Sequence, residues 1–363
     1  MDKNRENNYD LLRIICTFAV ISIHVSSTYW RAAVNFDSWT ARDMTNAIVV
    51  CLYYACSSFA VPCFVMLSGA FILDDERNFE FRYFYKKIFV KLGIPTIAFS
   101  ILYFIYYFMV CVAQVWLKGM EYTILLKPIL EWIKGAPFYH MWYLYMMIGV
   151  YLLAPIVIRL KKEVGEDKFV RISLIFIALA CVSVCKSTHK LYWDIGLSFC
   201  YLGYFAMGYV IRKWGANKKS NVYGLGLIVI GLGIEAVIGY IKYMQIVNKI
   251  SDDTLTDPYS PLILIVSICI FGGVSMIRIG RNLGKVATLT FLIYLVHAGV
   301  WDLIAPRIDL INANCIIAMP LLIMVVFLIS AGISLLIKRI ENIRGISVVS
   351  NTNSLKHCSD KKD

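Results

Sequence analysis

Ten stretches of largely apolar residues follow one another along this chain of 363 residues, at roughly 9–30, 45–73, 88–116, 139–160, 168–186, 192–212, 222–242, 259–277, 286–305 and 313–337. A helix needs about 20 residues to cross the hydrocarbon core of a bilayer. Backbone polar groups there must be satisfied within the segment, and these runs are too long and too continuously apolar for barrel strands. The chain reads as an all-α integral membrane protein with about ten transmembrane helices. Composition agrees, with 59% of residues hydrophobic, 17% charged and a mean hydropathy of +0.67. A soluble domain is closer to 45–50% apolar and 25% charged, so a soluble enzyme, a disordered chain and a DNA-binding module are excluded.

The net charge of +12 finds its meaning in where the cations fall. Segments after the second, fourth, sixth and eighth runs hold Arg77, Arg82, Lys86, Lys87 and Lys91, then Arg159 to Arg171, Arg212 to Lys219, and Arg278 to Lys285. With both ends of the chain these sum to 26 of the 36 Lys and Arg, leaving 10 for the alternate loops. The inside-positive bias puts both termini in the cytoplasm, and one helix more or fewer would destroy it. The first run carries Arg13 in its opening turns and lacks a small-residue cleavage site, so it is not a cleavable signal. Residues 1–344 form one polytopic domain and 345–363 a polar, disordered tail; the fifth and sixth runs are parted by the short polar piece 186–190. No nucleic-acid partner is expected. Eleven Cys without a CxxC pair and five His without a His–Cys cluster leave no metal site or disulfide framework.

Ionisable residues within spans are candidates for function. Arg13 and His24 are eleven residues apart, three turns to within about 20°, so they share a face and stand about 16 Å apart along the axis. A cytoplasmic anchor and an interhelical hydrogen bond are the plainer uses of the two. Pro62, Ser68 and Gly69 in the second run point to a kink or a close helix contact. Lys86, Lys87 and Lys91 stand at the cytoplasmic mouth, as a phosphate-binding group or as simple membrane-surface charge. On the outer side come His140, Trp142 and Tyr143; an aromatic belt accounts for the latter two, and a water-wetted position for His140. Tyr294 and His297 are neighbours at i, i+3, and His297 lies about as deep as His24, so the two histidines could face one cavity. Glu235 is mid-span, as an acid–base group or the partner of a polar neighbour. The glycines 224, 226, 231 and 233 lack the ending of a phosphate loop and read as helix packing.

Taken in order, Arg13 with His24, Val61-Pro62 through Ser68-Gly69-Ala70, Phe138-Tyr139-His140-Met141-Trp142-Tyr143-Leu144 with Tyr151 and Pro155, and Tyr294-Leu295-Val296-His297 resemble the membrane acyltransferase type 3 family. These are O-acyltransferases of bacterial surface glycans, and the likeness covers nearly the whole chain. Where the family usually has Arg in the basic stretch, this chain has Lys87 and Lys91. The resemblance implies a multi-pass protein of the bacterial cytoplasmic membrane that moves an acyl group, acetyl in most members, from acyl-CoA to a carbohydrate or lipid-linked glycan hydroxyl. It implies no permanently bound cofactor. CoA phosphates would rest at the cationic mouth while His24 serves as general base or as an acyl-histidine relay, and Arg13 holds phosphate or orients a carboxylate. A transporter or flippase for a small molecule or lipid-linked sugar is the alternative, against which stands the lack of paired repeats with matching broken helices.

Overall fold

The computed structural model describes residues 6–33, 38–184, 195–250 and 260–344; the polar piece 186–190 and the tail 345–363 lie outside these ranges. The described residues are helical and include no strand. In chain order the helices are α1 (Asn7–Ala33), α2 (Ala41–Ala55), α3 (Ala60–Ile72), α4 (Phe81–Ile88), α5 (Ile94–Lys118), α6 (Lys127–Ile133), α7 (Trp142–Val164), α8 (Glu166–Val184), α9 (Ile195–Asn217), α10 (Asn221–Val247), α11 (Pro261–Met276), α12 (Gly284–Ala287), α13 (Thr290–Ile304) and α14 (Cys315–Arg344). Six stretches among the described residues are long and apolar enough to cross a bilayer: Asn7–Arg31, Ala41–Ile72, Phe81–Lys118, Trp142–Val164, Asn221–Val247 and Cys315–Asn342. The expected segments 168–186, 192–212, 259–277 and 286–305 are helical where described but do not reach that standard. α8, for instance, opens on Glu166, Asp167, Lys168 and Arg171.

Proline breaks one of the expected spans and widens a turn of another. α2 stops at Ala55 and α3 begins at Ala60, because Pro62 has no N–H to return to the carbonyl four residues earlier. Serines fill the gap: the Ser57 hydroxyl donates to the Tyr53 carbonyl at 2.6 Å, and that of Ser58 to Glu235 Oε1 at 3.0 Å. Pro95 likewise offers nothing to the Lys91 carbonyl, and the turn Phe89–Gly93 widens to a π-helix in which the Ile94 N–H reaches back to Phe89. α7 starts at Trp142, later than the expected 139, so Phe138–Met141 form a turn ahead of it.

α1 is the hub, packed by α2, α3, α11, α12, α13 and α14. Polar side chains stitch distant segments together. The Asn8 amide donates to the Val274 carbonyl at 3.0 Å, and Asn46 both donates to Ala313 O and accepts from the Cys315 N–H, each at 2.9 Å, capping α14 from α2. The closest crossing is α3 on α9, where a Cβ on Gly69 would lie 1.7 Å from the Phe205 carbonyl oxygen and one on Gly208 1.9 Å from that of Met66. The Ser68-Gly69 pair thus marks a close contact as well as following a break. Of the four-glycine run, Gly224 and Gly231 pack against α11, whereas Gly226 and Gly233 face open space.

Substituting Gly208 by Ala should therefore force the α3/α9 crossing apart, at a cost of roughly 1–3 kcal/mol. Gly226→Ala should leave stability nearly unchanged or slightly raised. Thermal unfolding of the two variants in detergent micelles makes the comparison, and equal effects would contradict it.

Candidate active site

Along α1, Arg13 and His24 face the protein interior three turns apart. The Arg13 Nη1 is 2.8 Å from Asp10 Oδ1, with the Asp10 side chain buried, and its guanidinium stands 5.0 Å from the centroid of the Phe71 ring. This places Arg13 on the wall of an inner chamber of about 640 Å³. Five cations line the chamber, Arg13, Arg77, Lys87, Lys91 and Arg212, against two carboxylates, Asp74 and Asp75. Leu67, Phe64, Ile88, Leu144, Met147 and Phe291 make its body apolar, with Ser68, Tyr151 and Thr290 as polar points.

Asp75 organises the cationic end. Its carboxylate accepts from Lys87 Nζ at 3.0 Å and from Arg77 Nε at 2.9 Å, and Lys87 also donates to Asn78 Oδ1 at 2.9 Å. Burial works to raise the Asp75 carboxyl, but the hydrogen bonds and charges of Arg77 and Lys87 prevail and hold it at about 2. Arg212 bridges Glu6 at 2.5 Å and Asp74 at 2.8 Å while its guanidinium lies 4.5 Å from the same Phe71 ring. Lys91, on the π turn, makes no ion pair among the described residues. Of the three lysines expected here, Lys87 and Lys91 reach the chamber, while Lys86 is exposed and outside its wall. Arg77 and Arg212, which had figured only in the charge count, supply the guanidiniums that the basic stretch around Lys87 and Lys91 lacks.

His24 belongs to a second, outer chamber of about 250 Å³, lined also by Val20, Ile23, Tyr54, Ser58, Val61, His140, Trp142, Tyr143 and Tyr294. Arg13 and His24 share a face of α1 but line two different chambers, and the residues common to both walls are Tyr143 and Tyr294. Ring centroids of His24 and His297 are 5.2 Å apart, and those of His140 and His297 5.3 Å. His297 thus stands beside His24 as depth implied, yet it is 1% exposed and sits behind the chamber wall. Its Nδ1 lies 2.6 Å from the Tyr294 carbonyl, the geometry of an N–H donor, while Nε2 finds no hydrogen-bond partner among the described residues. His140 is also 1% exposed, so the water-wetted reading is corrected: the turn Phe138–Met141 carries its ring inward, where the Tyr294 hydroxyl donates to the His140 carbonyl at 2.5 Å. Irregular backbone at membrane depth is tolerated where it lines a cavity. Trp142 and Tyr143 likewise face the interior rather than forming a lipid-side belt. Glu235, fully buried, accepts from Ser58 and lies behind that wall residue. No group of three His, Cys, Asp or Glu among the described residues is arranged to hold a metal ion.

A lipid-embedded helical bundle with a cation-walled chamber on one side of a tyrosine pair and an imidazole-walled one on the other has the makings of a multi-pass membrane transferase. Residues 6–339 match the model of the acyltransferase domain that defines the acyltransferase 3 family, and the chain belongs to that family. No curated protein and no solved structure matches it.

With its folded value near 2 and an unfolded value near 3.9, Asp75 adds stability that is complete above about pH 5 and fades as pH falls through 2. The melting-temperature gap between the native protein and Asp75→Asn should therefore be constant between about pH 5 and 8 and shrink on further acidification. A gap that opens or closes around neutrality would show that another group controls the cluster.

Proposed function

We propose that this protein transfers an acyl group, acetyl above all, from acyl-CoA to a hydroxyl of a cell-surface or lipid-linked carbohydrate in the bacterial cytoplasmic membrane. Ten crossings with both termini cytoplasmic are part of the proposal; the supporting observation is that every apolar run in the sequence is helical over most of its described length. The observation that carries the catalytic reading is the placement of Arg13 and His24 on the walls of two abutting chambers, the first rich in cations.

A CoA thioester is polyanionic at one end and has a long neutral arm. Phosphates suit the end where Arg77, Lys87, Lys91, Arg212 and Arg13 outnumber Asp74 and Asp75. The arm suits the apolar body of the inner chamber, and about 16 Å along α1 is a length it can span to bring the thioester toward His24. There the imidazole takes the proton of the acceptor hydroxyl as its oxygen attacks the thioester carbonyl carbon. The tetrahedral adduct collapses with cleavage of the C–S bond. The proton held by His24 passes to the departing sulfur, so an O-ester and free CoA thiol are the products and nothing else is consumed. A glycan hydroxyl is the acceptor class that the family resemblance implies, and it suits the hydroxyl-, imidazole- and indole-lined outer chamber.

Replacing His24 by Ala should lower acetyl transfer by about 10²–10⁴-fold while membrane insertion and yield stay normal. Mass spectrometry of surface glycan from strains carrying either form reads the loss as one missing acetyl per site. Undiminished acetylation with His24→Ala would end this mechanism. Arg13→Ala should chiefly raise the KM for the acyl-CoA donor.

A further inference from the structure

Tyr143 and Tyr294 stand in both chamber walls, with their ring centroids 5.4 Å apart and planes at 64°. Aromatic rings in edge-to-face contact at that distance are packed against each other. A methylene chain needs about 4 Å of clearance from each carbon neighbour, so nothing passes between the rings without displacing one. Their restraints differ. Tyr294 is 6% exposed and tied by its hydroxyl to the His140 carbonyl at 2.5 Å, with the His140 and His297 rings 5.6 and 5.5 Å away. Tyr143 is half-buried at the first turn of α7 and touches Phe64 and Trp142 through ring contacts at 6.3 and 6.4 Å.

We propose that this pair is an acyl-size gate, in which Tyr143 is the movable leaf and Tyr294 the fixed post, so that short acyl groups reach His24 and long ones are held back. The inference rests on the acyl-CoA reading above. The thioester enters from the cationic side, and its carbonyl carbon must cross the pair to meet the acceptor oxygen. Tyr143 swings aside toward the inner chamber, where there is space, while Tyr294 stays anchored to the backbone of the turn that carries His140. Beyond the pair about 250 Å³ must hold both the acyl group and the acceptor hydroxyl, so each added methylene competes with the acceptor for room. The reaction is unchanged: the acyl carbon moves from sulfur to the acceptor oxygen, and the hydroxyl proton ends on the CoA thiol.

Inverted cytoplasmic-membrane vesicles from the producing strain, with their own glycan as acceptor, test this. They receive labelled acetyl-, butyryl- or hexanoyl-CoA, and incorporated label and freed CoA thiol are measured against vesicles without the protein. The native protein should transfer acetyl far better than hexanoyl. Tyr143→Ala should raise the hexanoyl-to-acetyl ratio at least tenfold, and Tyr143→Leu, a milder change that spares packing, should raise it in the same direction. Tyr143→Phe should keep the native ratio whatever its rate. If hexanoyl passes as well as acetyl in the native protein, or if neither Tyr143→Ala nor Tyr143→Leu changes the ratio, the gate is refuted while acyl transfer stands. If no donor yields product with the native protein, the acyl-CoA reading fails instead, and the gate with it.

Discussion

Inside a bilayer there is no water to solvate a stray polar group, and the irregular parts of this chain are arranged around that shortage. The break between α2 and α3 frees backbone groups; the Ser57 hydroxyl answers the Tyr53 carbonyl, and the Ser58 hydroxyl gives the buried Glu235 carboxyl a partner. The turn Phe138–Met141 exposes a carbonyl that the Tyr294 hydroxyl engages. The π turn before Pro95 lies where Lys91 reaches the inner chamber. Each of these three departures from regular helix therefore falls at a chamber or directly behind one. A strictly regular bundle would satisfy its backbone more simply but would have nowhere to admit a polar substrate.

The two chambers are chemically unlike. Cations dominate the inner one, and they arrive from α1, from the stretch around α4 and from α9, segments that the charge count assigns to one side of the membrane. Most of these cations are already engaged: Arg13 with Asp10, Arg77 and Lys87 with Asp75, and Arg212 with Glu6 and Asp74. Such pairing holds long side chains in place before a ligand arrives, which lowers the ordering cost of binding. The outer chamber contains imidazole, hydroxyl and indole groups and no formal cation or carboxylate on its wall. A polyanion is thus favoured at one end only, and the proposed donor would enter from that end.

How much of this could be read along the chain depended on whether one helix carried the information. The spacing of Arg13 and His24 is local to α1, and both do line cavities. Pro62 acts within its own helix, and the break follows; Gly69 signals a close crossing, although its partner, the Phe205 carbonyl on α9, is not legible from the pattern. Lys86 and Lys87 are adjacent, so only the docking of α4 decides which one turns inward. Tyr143 lies at a helix start, where an interfacial aromatic is common; its inward position depends on α7 beginning three residues later than hydropathy implied. Arg77 and Arg212 are 135 positions apart in number, and no pattern in a single sequence unites them. His140 sits in a turn whose depth the hydropathy profile does not register, because a buried turn and a wetted one can share a composition.

A rigid helix carrying both the cation and the imidazole has one further consequence. Six helices pack against α1 and keep it in place, and the separation of Arg13 from His24 along it is held by backbone hydrogen bonds rather than by side-chain choice. A ligand with its charge and its reactive carbon spaced to match gains both contacts at once, and the second becomes an intramolecular event. A ligand of the wrong length must give up one contact to make the other. If the proposed acyl-CoA donor is bound in this way, discrimination by overall length would be a property of α1, set when the helix forms, and the proposed tyrosine gate would act only after that ruler had accepted the rest of the molecule.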